Sequence, residues 1–166
     1  MIKAVLISIR PKWCEKIASG EKTIEVRKTR PKLETPFKCY IYETQGWVEK
    51  DGIMEFRLGG RVIGEFTCDR IYGLAPLNHA PDDVEQQACL TREEIVRYLK
   101  GVGYGWHISG LRIYHQPLEL TEFRRACPND LYCESCAMYS NNNGICNNGA
   151  LPLRHPPQSW CYVEEG

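Results

Sequence analysis

The sequence lacks a hydrophobic run long enough to cross a membrane. Its N-terminal apolar stretch covers only residues 4–9 before Arg10 and Pro11 interrupt it, whereas a membrane span needs about 20 residues and a secretory signal an apolar core of roughly 7–15 followed by a cleavage site. The chain also has no net charge, with 21 basic and 21 acidic side chains. We therefore expect a cytoplasmic protein without a membrane partner and without strong non-specific attraction to polyanions.

The charge is unevenly distributed along the chain. Residues 1–32 contain nine Lys and Arg but only three Glu, so this segment carries an excess of six positive charges that the rest of the chain balances. A polyanionic partner such as RNA would be expected to contact the N-terminal segment.

The length and the hydrophobic pattern indicate one domain, residues 1–166, with an insertion at about 127–150. Apolar or alternating segments predict five strands, separated by two short helices and completed by a sixth strand near the C-terminus. The predicted strands cover 3–9, 23–28, 38–44, 61–69, 106–115 and 160–164, and the predicted helices cover 11–19 and 92–100. Because strands and helices do not alternate regularly, the pattern favours an α+β fold, a small mixed barrel, over a doubly wound sheet. Residues 78–88 are predicted to be irregular.

The insertion is rich in cysteine, asparagine and glycine and has too few apolar residues to fold alone. Four cysteines lie within 20 residues: Cys127, Cys133, Cys136 and Cys146. Four thiolates can complete a tetrahedral shell around a structural Zn²⁺. An iron–sulfur cluster, free thiols or a disulfide are the alternatives, and His155 or Cys161 are alternative fourth ligands in place of Cys146. The insertion could also serve as a protein-interaction adaptor.

The other five of the nine cysteines are scattered among apolar residues. We expect them to be small core residues, as cysteine often is in reducing compartments. They are Cys14, Cys39, Cys68, Cys89 and Cys161.

A cluster of charged residues follows the first predicted helix. Glu25 and Arg27 are two residues apart on a predicted strand, so their side chains project from the same side. If that side faces a cleft, the guanidinium of Arg27 presents several N–H donors that the Glu25 carboxylate holds in place, which suits a phosphate or a nucleobase edge. Lys22 lies close enough in the sequence to contact the same ligand. The alternative is a solvent-facing strand whose ion pairs only add solubility.

The stretch from Gly20 to Arg27 has the pattern G-x-K-x-x-E-x-R, with Lys22, Glu25 and Arg27 at the charged positions. This pattern resembles the signature of ASCH domains, and other segments resemble bacterial and phage members of that family. Those segments are residues 9–13, 60–66, 103–109 and 156–164. The resemblance therefore covers most of the chain outside the cysteine-rich insertion.

The resemblance implies a PUA-like β-barrel with a central cleft that binds RNA or a nucleotide. Carried over to this sequence, it makes Lys22, Glu25 and Arg27 the candidate ligand-binding residues. The aromatic residues expected near the cleft are Trp13, Tyr104 and Trp106, on which a base could stack. Packing in the core or at the rim is the alternative for each of them. We expect the protein to act as a monomer.

Some small ASCH-like proteins are hydrolases, either ribonucleases or N4-acetylcytidine amidohydrolases. The amidohydrolases use a lysine, a threonine three residues later and a distant glutamate. Here Lys22 matches the lysine, but Glu25 occupies the threonine position. The region of the distant glutamate, residues 86–89, reads Gln-Gln-Ala-Cys. Thr23 and Glu85 are the nearest residues in the sequence of the types that the pattern requires. If the protein is an enzyme, Lys22 and Glu25 are the candidate catalytic residues. A carboxylate beside a lysine favours the charged ammonium, which suits anion binding better than proton abstraction.

The cysteine spacing predicts one structural zinc ion per chain. Elemental analysis of the purified protein should find about one zinc per chain, and simultaneous replacement of Cys133 and Cys136 by serine should abolish it. The Cys89→Ser variant is the control, because Cys89 lies outside the cluster. Zinc-free protein with full stability would contradict the prediction.

Overall fold

A computed structural model describes residues 2–74, 79–126 and 151–166. Within these ranges the chain forms eight strands and three α-helices. The strands are β1 (Lys3–Ile9), β2 (Ile24–Arg27), β3 (Phe37–Glu43), β4 (Gly46–Lys50), β5 (Ile53–Arg57), β6 (Arg61–Gly73), β7 (Tyr104–Glu119) and β8 (Trp160–Glu164). The helices are α1 (Pro11–Ala18), α2 (Val84–Ala88) and α3 (Arg92–Leu99).

Six of the strands form one mixed sheet in the order β2-β7-β6-β3-β1-β8. Strands β1 and β3 are parallel, and all other neighbours are antiparallel. The long strands β6 and β7 change register at several points, and such irregularities bend a sheet. The result is a half-barrel, and it confirms the predicted α+β class with a mixed sheet and short helices.

Alternating side chains give the sheet an apolar layer on each face, as the two-residue period of strands requires. Val5, Ile7 and Ile9 of β1 pack on the inner side with α1 and Trp106. Ala4 and Leu6 of the same strand pack on the other side. Strand β1 is therefore buried on both faces, which explains its nearly continuous apolar sequence. A third cluster holds α2 and α3 against the apolar side of β2.

The predicted elements agree closely with the structure. Strands β1 and β8 and the start of α1 and α3 lie at the predicted residues. The side chain of Thr91 accepts a hydrogen bond from the Glu94 amide, and the Glu94 carboxylate accepts one from the Thr91 amide, which confirms the predicted capping box. Among the scattered cysteines, Cys14, Cys39 and Cys68 are buried in the core, whereas the remaining two are half-buried.

Two features differ from the prediction. Strands β4 and β5 form a separate hairpin whose turn, Asp51-Gly52, has positive φ at both residues. The Asp-Gly pair is a known hairpin signal, but the flanking residues are mostly exposed and show weak alternation. Helix α2 lies in the segment predicted to be irregular, because a helix of five residues is too short to show a helical period.

No helix in the described ranges is both long enough and apolar enough to cross a membrane.

Candidate functional site

Strand β2 lies at one edge of the sheet, yet its charged side chains are buried. It pairs only with β7, placing Glu25 opposite Trp106 and Arg27 opposite Tyr104. The exposed fractions of Lys22, Glu25 and Arg27 are 2, 5 and 9%. These values rule out the alternative of a solvent-facing strand. The three charged groups meet in one buried network.

Arg27 directs its guanidinium at acceptors inside the protein. Its Nε and Nη2 atoms donate to Glu25 Oε1 at 3.2 and 3.1 Å. Nη2 also donates to the Ser8 carbonyl at 2.7 Å, and Nη1 donates to Ser159 Oγ at 3.1 Å. Arg27 therefore connects β2 to β1 and to the residue preceding β8, and few of its N–H groups remain for a ligand.

Glu25 has one occupied and one unoccupied carboxylate oxygen. Oε1 accepts both hydrogen bonds from Arg27. Oε2 is buried and has no hydrogen-bond partner in the described part of the chain. Its nearest cation is Lys22 Nζ at 3.8 Å, which is an ion-pair distance but too long for a hydrogen bond.

Lys22 holds its ammonium between a carbonyl and an aromatic ring. Its Nζ atom donates to the Ala88 carbonyl at the end of α2 and lies 4.7 Å from the centre of the Trp13 ring. Burial lowers the pKa of Lys22 below its usual value; Glu25 opposes this shift and Arg27 adds to it. The ammonium is stabilised by Glu25 and destabilised by the loss of water.

Backbone hydrogen bonds join Thr23, the residue before β2, to helix α2 on one side and to β7 on the other. The Thr23 amide donates to the Gln87 carbonyl at 2.8 Å, and the Ile108 amide of β7 donates to the Thr23 carbonyl at 2.8 Å. These bonds place the Ala88 carbonyl within reach of Lys22. The short helix that the sequence pattern did not reveal is thus part of the site.

A cleft of about 440 Å³ opens above this network. Its volume falls in the range of roughly 300–1,000 Å³ that is typical of small-molecule sites. Side chains from α1, α3, β1 and β2 line it, together with residues near the two ends of the sheet. The lining residues include Ser8, Arg10, Trp13, Lys22, Glu25, Arg27, Thr44, Leu90, Glu94, Tyr98 and Gln158.

The walls of the cleft carry two aromatic side chains from different helices. Trp13 of α1 is half-buried, and Tyr98 of α3 is 45% exposed. Exposed cations lie beside them, with Lys12 Nζ 4.7 Å from the Trp13 ring centre and Lys28 Nζ 5.2 Å from the Tyr98 ring centre. Arg10 is also exposed and lines the cleft. The floor is thus a buried ion network. Arg10 and Glu94 are the exposed charged residues of the lining, and Lys12 and Lys28 lie outside it but contact two of its aromatic rings.

Two aromatic residues predicted near the cleft do not line it. Trp106 is fully buried, with its ring centre 6.0 Å from that of Phe37 and 5.9 Å from that of Trp160. Tyr104 is half-buried and packs against the same core. Both belong to β7, which has a neighbouring strand on each side, so their rings support the sheet behind the cleft. Of the three predicted aromatics, Trp13 alone is among the cleft residues.

Several contributors to the site have no signal in the sequence. Tyr98 lies in a helix whose spacing predicts only an amphipathic surface, and Ser159 and Ala88 act from parts of the chain far from the signature. These residues reach the cleft through tertiary packing, which local patterns do not encode.

The near neighbours of the missing amidohydrolase residues are used elsewhere. The Thr23 hydroxyl donates to the side-chain oxygen of Gln87 at 3.1 Å. Glu85 accepts a hydrogen bond from the Arg92 amide at 2.6 Å and does not line the cleft. Neither residue replaces the threonine or the glutamate of the amidohydrolase pattern.

The predicted zinc ligands Cys127, Cys133, Cys136 and Cys146 lie outside the described residues. Of the alternative fourth ligands, Cys161 is half-buried and packs beside β1. Within the ranges that the structure describes, no group of three or more His, Cys, Asp or Glu side chains is arranged to hold a metal. The zinc site remains a prediction.

A larger cavity of about 760 Å³ lies on the other face of the sheet. Four of its charged side chains are paired with one another: Lys38 Nζ lies 3.4 Å from both Glu65 and Glu165, and Arg112 lies 3.6 Å from Glu65. None of its charged side chains is both deeply buried and unpartnered. The smaller cleft, with the buried unoccupied oxygen of Glu25, is therefore the candidate site.

Comparison with solved structures identifies the fold. Crystal structures of the ASCH protein from Zymomonas mobilis and of two of its single-residue mutants superpose with TM-scores of 0.60 to 0.61 at 16 to 18% identity. The likeness covers 98% of this chain and 88 to 91% of theirs. The chain thus has the ASCH-domain fold.

Scanning the sequence against protein-family models gives no match. A search of curated proteins also gives none.

The contacts of Arg27 predict that it is needed for stability. Arg27→Ala should lower the free energy of unfolding by about 3–5 kcal/mol, because it leaves a buried carboxylate without its main partner. Denaturant unfolding should show this loss, whereas the exposed Arg10→Ala change should stay within about 0.5 kcal/mol. In a double-mutant cycle the loss should shrink when Glu25 is also replaced. An Arg27→Ala protein as stable as the parent would contradict the geometry.

Proposed function

We propose that this domain binds single-stranded RNA, or a nucleotide-sized part of it, in the cleft above Lys22 and Glu25. The observation that carries the proposal is the contrast around one cavity: a buried ion network at the floor, aromatic rings on the walls, the exposed Arg10 in the lining, and Lys12 and Lys28 beside the two rings. The base of a nucleotide can contact the floor and the walls of the cleft, and the phosphates of the strand can contact the rim.

The walls provide stacking surfaces. Trp13 and Tyr98 come from different helices and line the same cavity, so a base in the cavity has aromatic rings within its walls to stack on. Such stacking contributes roughly 1–3 kcal/mol per base and requires an unpaired base, because paired bases are stacked within their own helix. This favours a single strand as the ligand.

The rim provides the contacts for phosphate. The side chain of Arg10 makes no ion pair within the described part of the chain, and Lys12 and Lys28 contact only aromatic rings there. Glu25 at the floor disfavours an anion, so the phosphates should remain outside. Their binding should weaken with salt, since each phosphate contact releases counterions.

Binding of a mixed-sequence single-stranded RNA, followed by fluorescence anisotropy, tests the proposal. Trp13→Ala should weaken binding by about 5-fold or more through lost stacking. Arg10→Ala should weaken binding and reduce the slope of log K against log salt by about one. Lys22→Met should weaken binding at the floor of the cleft.

Lys16→Met is the matched control for Lys22→Met. Lys16 is a lysine of the same N-terminal segment, but its side chain is 42% exposed and pairs with Glu21 at 2.9 Å. The Lys16→Met variant should bind RNA with the affinity of the parent protein. If the parent protein binds RNA no more tightly than Trp13→Ala, Arg10→Ala and Lys22→Met, the RNA binds elsewhere on the molecule and the proposal is wrong.

A hydrolase acting on RNA or on modified nucleosides is the second candidate, and the lowered pKa of Lys22 favours it. A neutral lysine can act as a base or nucleophile. Lys22 becomes neutral as the pH rises through its lowered pKa, below the ordinary value of 10.5. Hydrolysis that depends on neutral Lys22 should therefore increase with pH over that interval, whereas binding that depends on the ammonium should decrease.

Incubation with N4-acetylcytidine and with single-stranded RNA tests this candidate. Release of acetate or of RNA fragments by the parent, lost in Lys22→Met but kept in Lys16→Met, would support an enzyme. If no product forms after long incubation while nucleotide binding is intact, the hydrolase hypothesis is wrong and binding alone remains.

A further inference from the structure

The unoccupied oxygen of Glu25 limits which ligands fit the floor of the cleft. Oε2 is buried and accepts no hydrogen bond from the described residues, while Oε1 is held by Arg27. A buried acceptor left without a partner costs about 1–3 kcal/mol. A ligand that donates to Oε2 recovers that energy, and a ligand that presents only acceptors there does not.

Lys22 determines which ligand group fits beside the donor that contacts Glu25 Oε2. Its ammonium has three N–H donors, of which one points to the Ala88 carbonyl. The Nζ atom is 3.8 Å from Glu25 Oε2, so a neighbouring donor and acceptor on one ligand edge can contact both residues. The floor therefore matches a donor–acceptor pair and not a phosphate, which has acceptors alone.

Among bases, the shape of the donor matters because Oε2 is recessed. An exocyclic amine projects beyond its ring and can reach a recessed acceptor. The ring N–H of uracil lies between two carbonyl oxygens. If this N–H donated to Glu25, the carbonyl oxygens would lie close to the carboxylate and be repelled by it. Carboxylates are accordingly found to accept from the cytosine amine in protein–nucleic acid contacts.

We propose that the cleft selects bases whose Watson–Crick edge has an exocyclic amine next to an acceptor ring nitrogen, cytosine or adenine, over uracil. In this arrangement the amine donates to Glu25 Oε2, and Lys22 donates to the ring nitrogen. The inference rests on the proposed function, since it assumes that the base enters this cleft. It assigns to Glu25 the role of a specificity residue.

Three RNA oligomers that differ at one type of base test the inference. Oligocytidine and oligouridine differ in the amine and in the ring N–H, and an oligomer of pyrimidin-2-one riboside keeps the ring nitrogen of cytosine but lacks the amine. The parent protein should bind oligocytidine at least about 5-fold more tightly than either of the others, as expected for one base-specific contact.

Glu25→Gln provides the protein side of the test. Glutamine keeps the size of the side chain, but its amide can turn either a donor or an acceptor toward the base. The preference for oligocytidine should fall to about 1-fold in this variant. Thermal unfolding checks that it folds; if it does not, the comparison of the three oligomers on the parent decides alone.

The outcomes separate this inference from the proposed function. Equal binding of all three oligomers, weakened in each case by Trp13→Ala, would overturn the selectivity and leave the cleft as a general single-strand site. Tighter binding of oligouridine would also overturn it. No binding of any oligomer would overturn both proposals.

Discussion

A buried carboxylate held between two cations is the interaction on which the rest of this site depends. Glu25 contacts Arg27 through two hydrogen bonds to one oxygen and faces Lys22 with the other. Removing charges from water is costly, and the cost is offset only where the partners are well placed. Here the geometry satisfies Arg27 almost fully and Glu25 only in part. Glu25 is among the residues that line the cleft, although its unpartnered oxygen is itself buried.

The fold explains how distant segments meet around this carboxylate. Strand β2 pairs with β7 at one end of the sheet, and β8 closes the other end beside β1. Arg27 spans the gap between these ends through the Ser8 carbonyl and Ser159. Helix α2 supplies the carbonyl for Lys22. The network thus serves as a brace for the half-barrel and as the floor of its cleft.

The signature residues and most of the strands could be predicted from the sequence, because they depend on local patterns. The alternation in β2 put Glu25 and Arg27 on one side, and the apolar run of β1 indicated a buried strand. Which of the charged residues hold the fold together and which remain available to a ligand could not be predicted. Arg27 has the donor fork of a phosphate ligand, yet Ser8 and Ser159 occupy much of it, and no local pattern reveals a partner 132 residues away.

The aromatic residues show the same limit. Trp13 and Trp106 are the same residue type, yet Trp13 lines the cleft and Trp106 is fully buried. The difference arises because β7 is an inner strand of the sheet, whereas Trp13 lies on a helix that packs on one face of it. Tyr98 reaches the cleft only because α3 packs against β2. Sheet order and helix docking decide these placements.

The most direct measurement is a crystal structure of the protein with a short single-stranded RNA that contains cytidine. We expect one unpaired base in the cleft beside Trp13 and Tyr98, with a base nitrogen about 3 Å from Glu25 Oε2 and the phosphates near Arg10. RNA bound on the opposite face, at Lys38 and Arg112, with Glu25 Oε2 still without a ligand, would contradict it.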